Sequence, residues 1–134
     1  GPGIAARSFP LRNVTALVLG LVALLHLLPA IGVLGGVQLQ RLYGVAAPEA
    51  DVELLLRHGA VSFGLLAAFL AWAAFRPELH GPALLAGGVR VVSILVLARG
   101  AEGLSAEIVV VLRADRAALG LLLLGAGAHG LARA

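Results

Sequence analysis

Four apolar stretches separated by short polar connections make up most of this chain. The central stretch, residues 54–75, contains only three polar side chains, those of Arg57, His58 and Ser62. A helix rises about 1.5 Å per residue, so this stretch is long enough to cross a hydrocarbon core of roughly 30 Å. The pattern predicts a membrane-spanning helix with a charged residue and an imidazole about one turn below its start.

Residues 14–34 form the first apolar stretch, which is interrupted near its end by His26. A cleavable signal peptide is the alternative interpretation, because Arg7 and Arg12 precede the apolar run. The length of the run and the lack of a convincing small-residue cleavage site favour a first membrane span. Pro29 predicts a bend in that helix, because proline lacks the amide proton of the helical hydrogen bond.

Two further stretches complete the pattern. Residues 83–98 are fewer than usual for a span and include Arg90 and Ser93, so a re-entrant helix is an alternative to a short third span. Residues 105–131 predict a fourth span, with Ser105 at the N-cap position. The expected fold is therefore an all-α, integral membrane four-helix bundle.

The remaining residues predict short connections within one domain covering residues 1–134. Residues 1–3 are typical of a remnant left by an expression tag, and residues 4–13 are expected to form an interfacial arm. Residues 38–51 are expected to contain a short amphipathic turn on the membrane surface, ended by Gly44. Basic residues near the ends and in the second connection favour both termini inside the cell.

Composition supports the membrane class. The chain has 134 residues, of which 60% are hydrophobic and 13% charged, with a mean hydropathy of +1.02. It contains no cysteine, which excludes disulfides and thiolate metal sites. All ten basic residues are arginines, but they form no basic and aromatic surface, so no nucleic-acid partner is expected.

Polar side chains from all four predicted helices fall at a similar depth, on the order of 6 to 15 Å below the outer ends of the spans. Charged residues inside a membrane normally face a protein interior or a wet cavity. Arginines outnumber carboxylates in this layer, which favours an anionic or carbonyl-bearing head group, with its apolar tail in a crevice along Ala60, Gly64 and Ala68. The candidate ligand-binding residues are Arg57, His58, Arg90, Asp115, Arg116, His26 and Tyr43.

The sequence thus predicts a protein that binds an amphipathic lipid, isoprenoid or quinone in an outward-facing pocket, and that self-associates through small-residue stripes. One alternative is a structural module whose polar network is closed, with Arg90 paired to Asp115. A second alternative is a b-type haem held by His26 and His58. Recognised catalytic motifs and metal-ligand spacings are missing from the sequence, which favours a role without catalysis, metal or another cofactor.

Several segments resemble a family of small bacterial four-span membrane proteins of unknown function that are often labelled phosphopantetheine adenylyltransferase. The similar segments are LHLLPAIGVLGG, RLYG, the run from RHGAVSFG to SILVLA, and VVVLRADRAALG. The resemblance implies a four-span fold in the bacterial cytoplasmic membrane, and it carries over His26, Pro29, Tyr43, Gly44, Arg57, His58, Phe63, Gly64, Arg76, Pro77, Ser93 and Asp115. Gly59, Arg90 and Arg116 depart from the family pattern. The nucleotide-binding loop that the enzyme label implies has no counterpart in these residues.

Overall fold

The computed structural model describes residues 2–44 and 49–134, with side chains from residue 9 onward. Within these residues the protein is entirely helical. Its five α-helices are α1 (Pro2–Ala30), α2 (Gly36–Tyr43), α3 (Ala50–Ala74), α4 (His80–Ala98) and α5 (Ala106–Arg133). Short 3₁₀ turns cover Ile31–Leu34 and Pro77–Leu79. The all-α prediction is confirmed.

Helix α1 is longer than expected at its start. The predicted interfacial arm of residues 4–13 belongs to this helix, and Pro10 lies inside it. Proline has a φ near −65°, which is a helical angle, so a continuing helix can accommodate it at the loss of one hydrogen bond. Pro29 lies one residue before the α-helix gives way to the 3₁₀ turn. The predicted irregularity at Pro29 therefore coincides with a change of helical geometry.

Helices α3 and α4 are separated by a short turn at Arg76 and Pro77. Arg76 has an extended backbone, with φ −131° and ψ 92°, as expected for a residue before proline. Helix α4 begins at His80, three residues before the predicted start, because Pro82 falls in the first turn, where an amide has no helical acceptor. The result is a 19-residue helix.

Ser105 joins the start of α5 to the end of α2. Its Oγ accepts a hydrogen bond from the amide of Ile108 at 3.1 Å, which confirms the predicted N-cap. The same hydroxyl donates to the backbone carbonyl of Tyr43 at 2.6 Å. Helix α2 ends at Gly44 in the left-handed region, with φ 67°, as the amphipathic turn predicted. This contact fixes α2 against the first turn of α5.

Three helical segments in the described part of the chain are long and apolar enough to cross a membrane: Phe9–Leu34, Ala50–Ala74 and Pro77–Ala98. Helix α5 has 28 residues but is not among them. Its first half contains four charged residues, Glu107, Arg113, Asp115 and Arg116. The structure therefore shows three segments capable of spanning a membrane.

Helix α1 lies between α3 and α5, while α4 packs mainly on α5. The core is aliphatic and comes from α1, α3, α4 and α5; its members include Val18, Leu19, Val22, Leu70, Ala73, Ala83, Leu84, Val91, Ala118 and Leu122. Large apolar side chains also cover the outside, where Leu97 is 72% exposed and Leu65 69%. An outer surface of this kind is suited to contact with lipid.

Small residues allow the closest helix contacts, partly where the sequence predicts them. A Cβ on Gly32 would lie 3.4 Å from that of Ala60, so the 3₁₀ turn after α1 approaches α3 closely at these two small residues. Ala68 is exposed, so the predicted small-residue stripe does not continue into a packed surface. The tightest contact in the core lies elsewhere, at Gly125 on α5, where a Cβ would approach Val18 Cγ1 to 2.9 Å.

Candidate functional site

A cavity of about 290 Å³ lies between α1, α2, α4 and α5. Its apolar walls come mainly from α1 and α5, and its polar groups come from all four helices. The lining residues are Leu25, His26, Leu28, Pro29, Arg41, Leu42, Tyr43, Arg90, Glu107, Val110, Val111, Ala114, Asp115 and Ala118. A mostly apolar wall with a few converging polar groups is the usual composition of a small-molecule site.

The central polar contact of the cavity is an ion pair between Arg90 Nη1 on α4 and Asp115 Oδ1 on α5. The predicted pairing of these residues is confirmed. Both side chains are largely buried, with 18% and 9% of their surfaces exposed. The Arg90 guanidinium carbon also lies 4.5 Å from the centre of the Phe63 ring on α3, in cation–π geometry. Arg90 is thus held by both a carboxylate and an aromatic ring.

His26 presents a hydrogen-bond acceptor in the same region. Its Nδ1 lies 2.8 Å from the carbonyl oxygen of Val22. A carbonyl can only accept, so a neutral His26 carries its proton on Nδ1 and leaves a lone pair on Nε2. The ring is 3% exposed. Its Nε2 has no hydrogen-bond partner among the described residues.

Asp115 provides a second acceptor of this kind. Arg90 engages only its Oδ1, and within the part of the chain that the structure describes its Oδ2 is buried without a hydrogen-bond partner. Buried polar atoms are normally satisfied by protein, ordered water or a bound molecule. Two residues that line one cavity therefore each carry an unsatisfied acceptor.

Tyr43 and Gly44 connect the cavity to α2. Burial raises the pKa of the Tyr43 phenol above its ordinary value, so the hydroxyl stays neutral at physiological pH. A Cβ on Gly44 would overlap the Glu107 carboxylate, so glycine at this position lets α5 approach the end of α2. Arg41 and Glu107 line the outer part of the cavity and are exposed.

Four of the seven predicted ligand-binding residues line this cavity, namely His26, Tyr43, Arg90 and Asp115. The structure places the other three, Arg57, His58 and Arg116, outside it with exposed side chains. Sequence reasoning did not select Arg41 and Glu107 as ligand-binding residues. The signal that could have identified Arg41 and Glu107 is the position of Gly44 at the end of α2 and of Ser105 at the start of α5. These two residues bring α2 and α5 together.

The expectation that Arg57 points inward is wrong. Its Nε donates a hydrogen bond to the carbonyl of Val33 at 2.9 Å, in the 3₁₀ turn after α1. The buried residues of α3 that follow are Ala60, Ala67, Leu70 and Ala73, a face that leaves Ala68 in the exposed surface. The expected crevice along Ala60, Gly64 and Ala68 is not part of this cavity, which has no lining residue from α3.

The two histidines of the haem hypothesis, His26 and His58, do not lie in the same site. His26 is buried in the cavity, whereas His58 is exposed on α3 and does not line it. The described residues contain no group of three or more histidine, aspartate or glutamate side chains placed to hold a metal ion.

A second histidine pair lies at the opposite end of the bundle. His80 is the buried first residue of α4. Its ring centre lies 6.4 Å from that of His129 on α5, and both residues line a separate cavity of about 430 Å³.

Comparison of the chain with family models, curated proteins and solved structures finds no match. The geometry of the cavity is therefore the basis for assigning a function.

Proposed function

We propose that the protein is a membrane-embedded binding protein for an amphipathic, lipid-like molecule. The head group lies against Arg90, Asp115, His26 and Tyr43, and the tail follows the apolar wall. The observation that carries this proposal is that two residues lining one mostly apolar cavity each contain a buried acceptor without a partner among the described residues.

The size and border of the cavity support an amphipathic occupant. A cavity of roughly 150 Å³ can hold benzene, so about 290 Å³ accommodates a substituted ring or a comparable head group. Two apolar lining residues belong to the outer surface as well, since Leu28 is 58% exposed and Val110 61%. A tail leaving the cavity beside Leu28 and Val110 would meet an apolar helix surface.

The cavity does not contain the surplus of arginine that the sequence predicts. That surplus depended on Arg57, Arg113 and Arg116, which all lie outside the cavity. The formal charges that line the cavity balance instead, with Arg41 and Arg90 against Glu107 and Asp115. The proposal therefore rests on the unsatisfied acceptors and the apolar wall.

We further propose that α5 is the fourth span of a bundle in the bacterial cytoplasmic membrane, with both termini inside. Helix α5 packs along α1 and α4, and its second half contains the apolar run LLLLGAGA. Buried Asp115 directs the most costly charge of α5 inward, and Arg90 neutralises it. Membrane lipid is the expected partner, and the exposed small residues on α3 are available for self-association.

The binding proposal is tested by native mass spectrometry of the protein extracted together with its own lipids. A bound species should be retained by wild type and lost in Ala118→Phe, which places an aromatic ring in the cavity. The matched control is Ala117→Phe, because Ala117 is exposed and does not line the cavity. Equal retention in the two variants would contradict binding in this cavity.

A closed structural module is the second candidate, and the direct pairing of Arg90 with Asp115 favours it. It predicts that wild type retains no specific species in the same experiment. Haem binding through His26 and His58 predicts a coloured protein whose Soret band disappears in both His26→Ala and His58→Ala. A colourless protein with a lipid-like bound species would support the proposed function over both alternatives.

A further inference from the structure

The two unsatisfied atoms belong to residues that line the cavity, are themselves buried beneath its surface, and are both hydrogen-bond acceptors. The Nδ1–H of His26 is used by the carbonyl of Val22, so Nε2 of the neutral ring can only accept. Asp115 bonds to Arg90 through Oδ1, and an ionised Oδ2 can likewise only accept. A molecule that satisfies either atom must therefore supply an N–H or O–H group.

The formal charges of the residues that line the cavity limit which hydrogen-bond-donating head group it can bind. Arg90 is neutralised by Asp115, and the other two charged residues that line the cavity, Arg41 and Glu107, have opposite formal charges. An anionic head group would approach two acceptors, including the free oxygen of a carboxylate. An ammonium group would bring a positive charge into a lining that is already balanced. A neutral hydroxyl satisfies one of the acceptors without either cost.

Tyr43 adds to this arrangement from α2. Its phenol remains protonated and can donate to the oxygen of a bound hydroxyl while that hydroxyl donates to an acceptor. The apolar wall formed by residues such as Leu25, Val111 and Ala118 offers no polar partner to a cluster of waters. The whole lining therefore suits a hydroxyl-bearing apolar molecule better than water alone.

We propose that the ligand of this cavity carries a neutral, hydrogen-bond-donating hydroxyl head group on an apolar ring or chain. His26 Nε2 accepts the hydrogen bond of this hydroxyl, and Asp115 Oδ2, whose carboxylate is fixed by Arg90, accepts from a second hydroxyl where the ligand has one. This inference rests on the proposed binding function and assigns the chemical class of its ligand. It replaces the anionic head group that the sequence predicts.

Three probes of one shape test the inference in wild-type protein reconstituted into nanodiscs. 4-Pentylphenol has a neutral donor, 4-pentylanisole has the same ring without a donor, and 4-pentylbenzoate carries a negative charge. Binding is measured relative to empty nanodiscs, and the Nε2 resonance of ¹⁵N-labelled His26 is recorded with each probe. The phenol should bind roughly tenfold or more tightly than the anisole and the benzoate, and it alone should shift the Nε2 resonance.

Variants identify the acceptor. His26→Phe should weaken phenol binding several-fold and leave anisole binding unchanged, because it removes one acceptor and keeps an aromatic ring. His58→Phe is the matched control, since His58 is exposed and does not line the cavity. The wild-type comparison of the three probes remains decisive if His26→Phe does not fold.

Each of the other outcomes contradicts either the hydroxyl inference or the proposed binding function. Equal or tighter binding of the anisole or the benzoate would overturn the hydroxyl inference and leave the binding function in place. If the Nε2 chemical shift already indicates a hydrogen bond without a probe, and the phenol does not change it, then water is the hydrogen-bond partner of Nε2 and the inference is overturned. Failure of all three probes to bind above empty nanodiscs would contradict the proposed function itself.

Discussion

Arg90 and Asp115 illustrate how single residues connect the stability of this bundle to its cavity. Each charge is largely buried, and each is the other's ionic partner. An uncompensated buried charge destabilises a protein far more than a missing pair does. The same contact leaves Asp115 Oδ2 without a partner within the described part of the chain, so under the proposed function one residue would serve both packing and ligand recognition.

A double-mutant cycle tests this pair. Arg90→Ala and Asp115→Ala should each lower the free energy of unfolding by about 3 kcal/mol or more, because each leaves a buried charge unpaired. The double variant should cost less than the sum of the two by about 1 to 3 kcal/mol. The measurement is denaturant unfolding in a detergent that supports reversible folding, and simple additivity would show that the residues do not interact.

At the scale of helices, Ser105 controls where α5 begins and how α2 meets it. Its hydroxyl caps α5 by accepting a hydrogen bond from the amide of Ile108, and it donates a hydrogen bond to the carbonyl of Tyr43. Ser105→Ala should therefore lower stability by about 1 to 2 kcal/mol and loosen the cavity wall formed by α2.

Ser62→Ala is the control for this prediction. Ser62 is exposed, and its hydroxyl bonds only within its own helix, to the carbonyl of His58 at 3.4 Å. The control should change stability by less than about 0.5 kcal/mol. Unfolding of both variants by circular dichroism provides the comparison, and equal effects would contradict the special role of Ser105.

The contact between α1 and α5 depends on the absence of a side chain at Gly125. A Cβ there would lie 2.9 Å from Val18 and 3.1 Å from Leu84, so Gly125→Ala should separate the helices and cost about 1 to 3 kcal/mol. Gly127→Ala, on the same helix, would meet no atom within 4 Å. It should be neutral or stabilising by up to about 1 kcal/mol, because alanine favours the helix. A smaller loss of thermal stability in Gly125→Ala than in Gly127→Ala would contradict this packing.

Whether the sequence predicts an element depends on whether the interactions that determine it are between neighbouring residues. The Ser105 cap depends on neighbouring residues, so the sequence was sufficient to predict it. The continuation of α1 through Pro10 was not predictable from proline alone, because proline is compatible with helical φ and the flanking residues decide whether the helix continues.

The site was predictable only in part for a similar reason. The pairing of Arg90 with Asp115 was predictable from their depth and charge, because buried opposite charges at the same depth are expected to pair. The orientation of Arg57 depends instead on a carbonyl of another element, at Val33. The location of the cavity depends on how α2 folds against α5, which helical periodicity within α3 cannot indicate.

At the scale of the whole molecule, the number of spans determines on which side of the membrane the cavity lies. Four spans would place the connection between α4 and α5 on the opposite side from the C-terminal end. The natural absence of cysteine allows a direct test by single-cysteine labelling in intact cells. Glu102→Cys should react with a membrane-impermeant maleimide, and Ala134→Cys should react only after permeabilisation. Labelling of both positions in intact cells would show that α5 does not cross the membrane.

The proposed function requires an amphipathic molecule in the cavity between α1, α2, α4 and α5. A crystal structure in a lipidic mesophase of protein purified with its native lipids would show this molecule directly. We expect continuous elongated density whose polar end lies within about 3.2 Å of Asp115 Oδ2 or His26 Nε2, and whose tail passes Leu28 and Val110. A cavity filled only by water, or closed by rearranged side chains, would contradict the binding function.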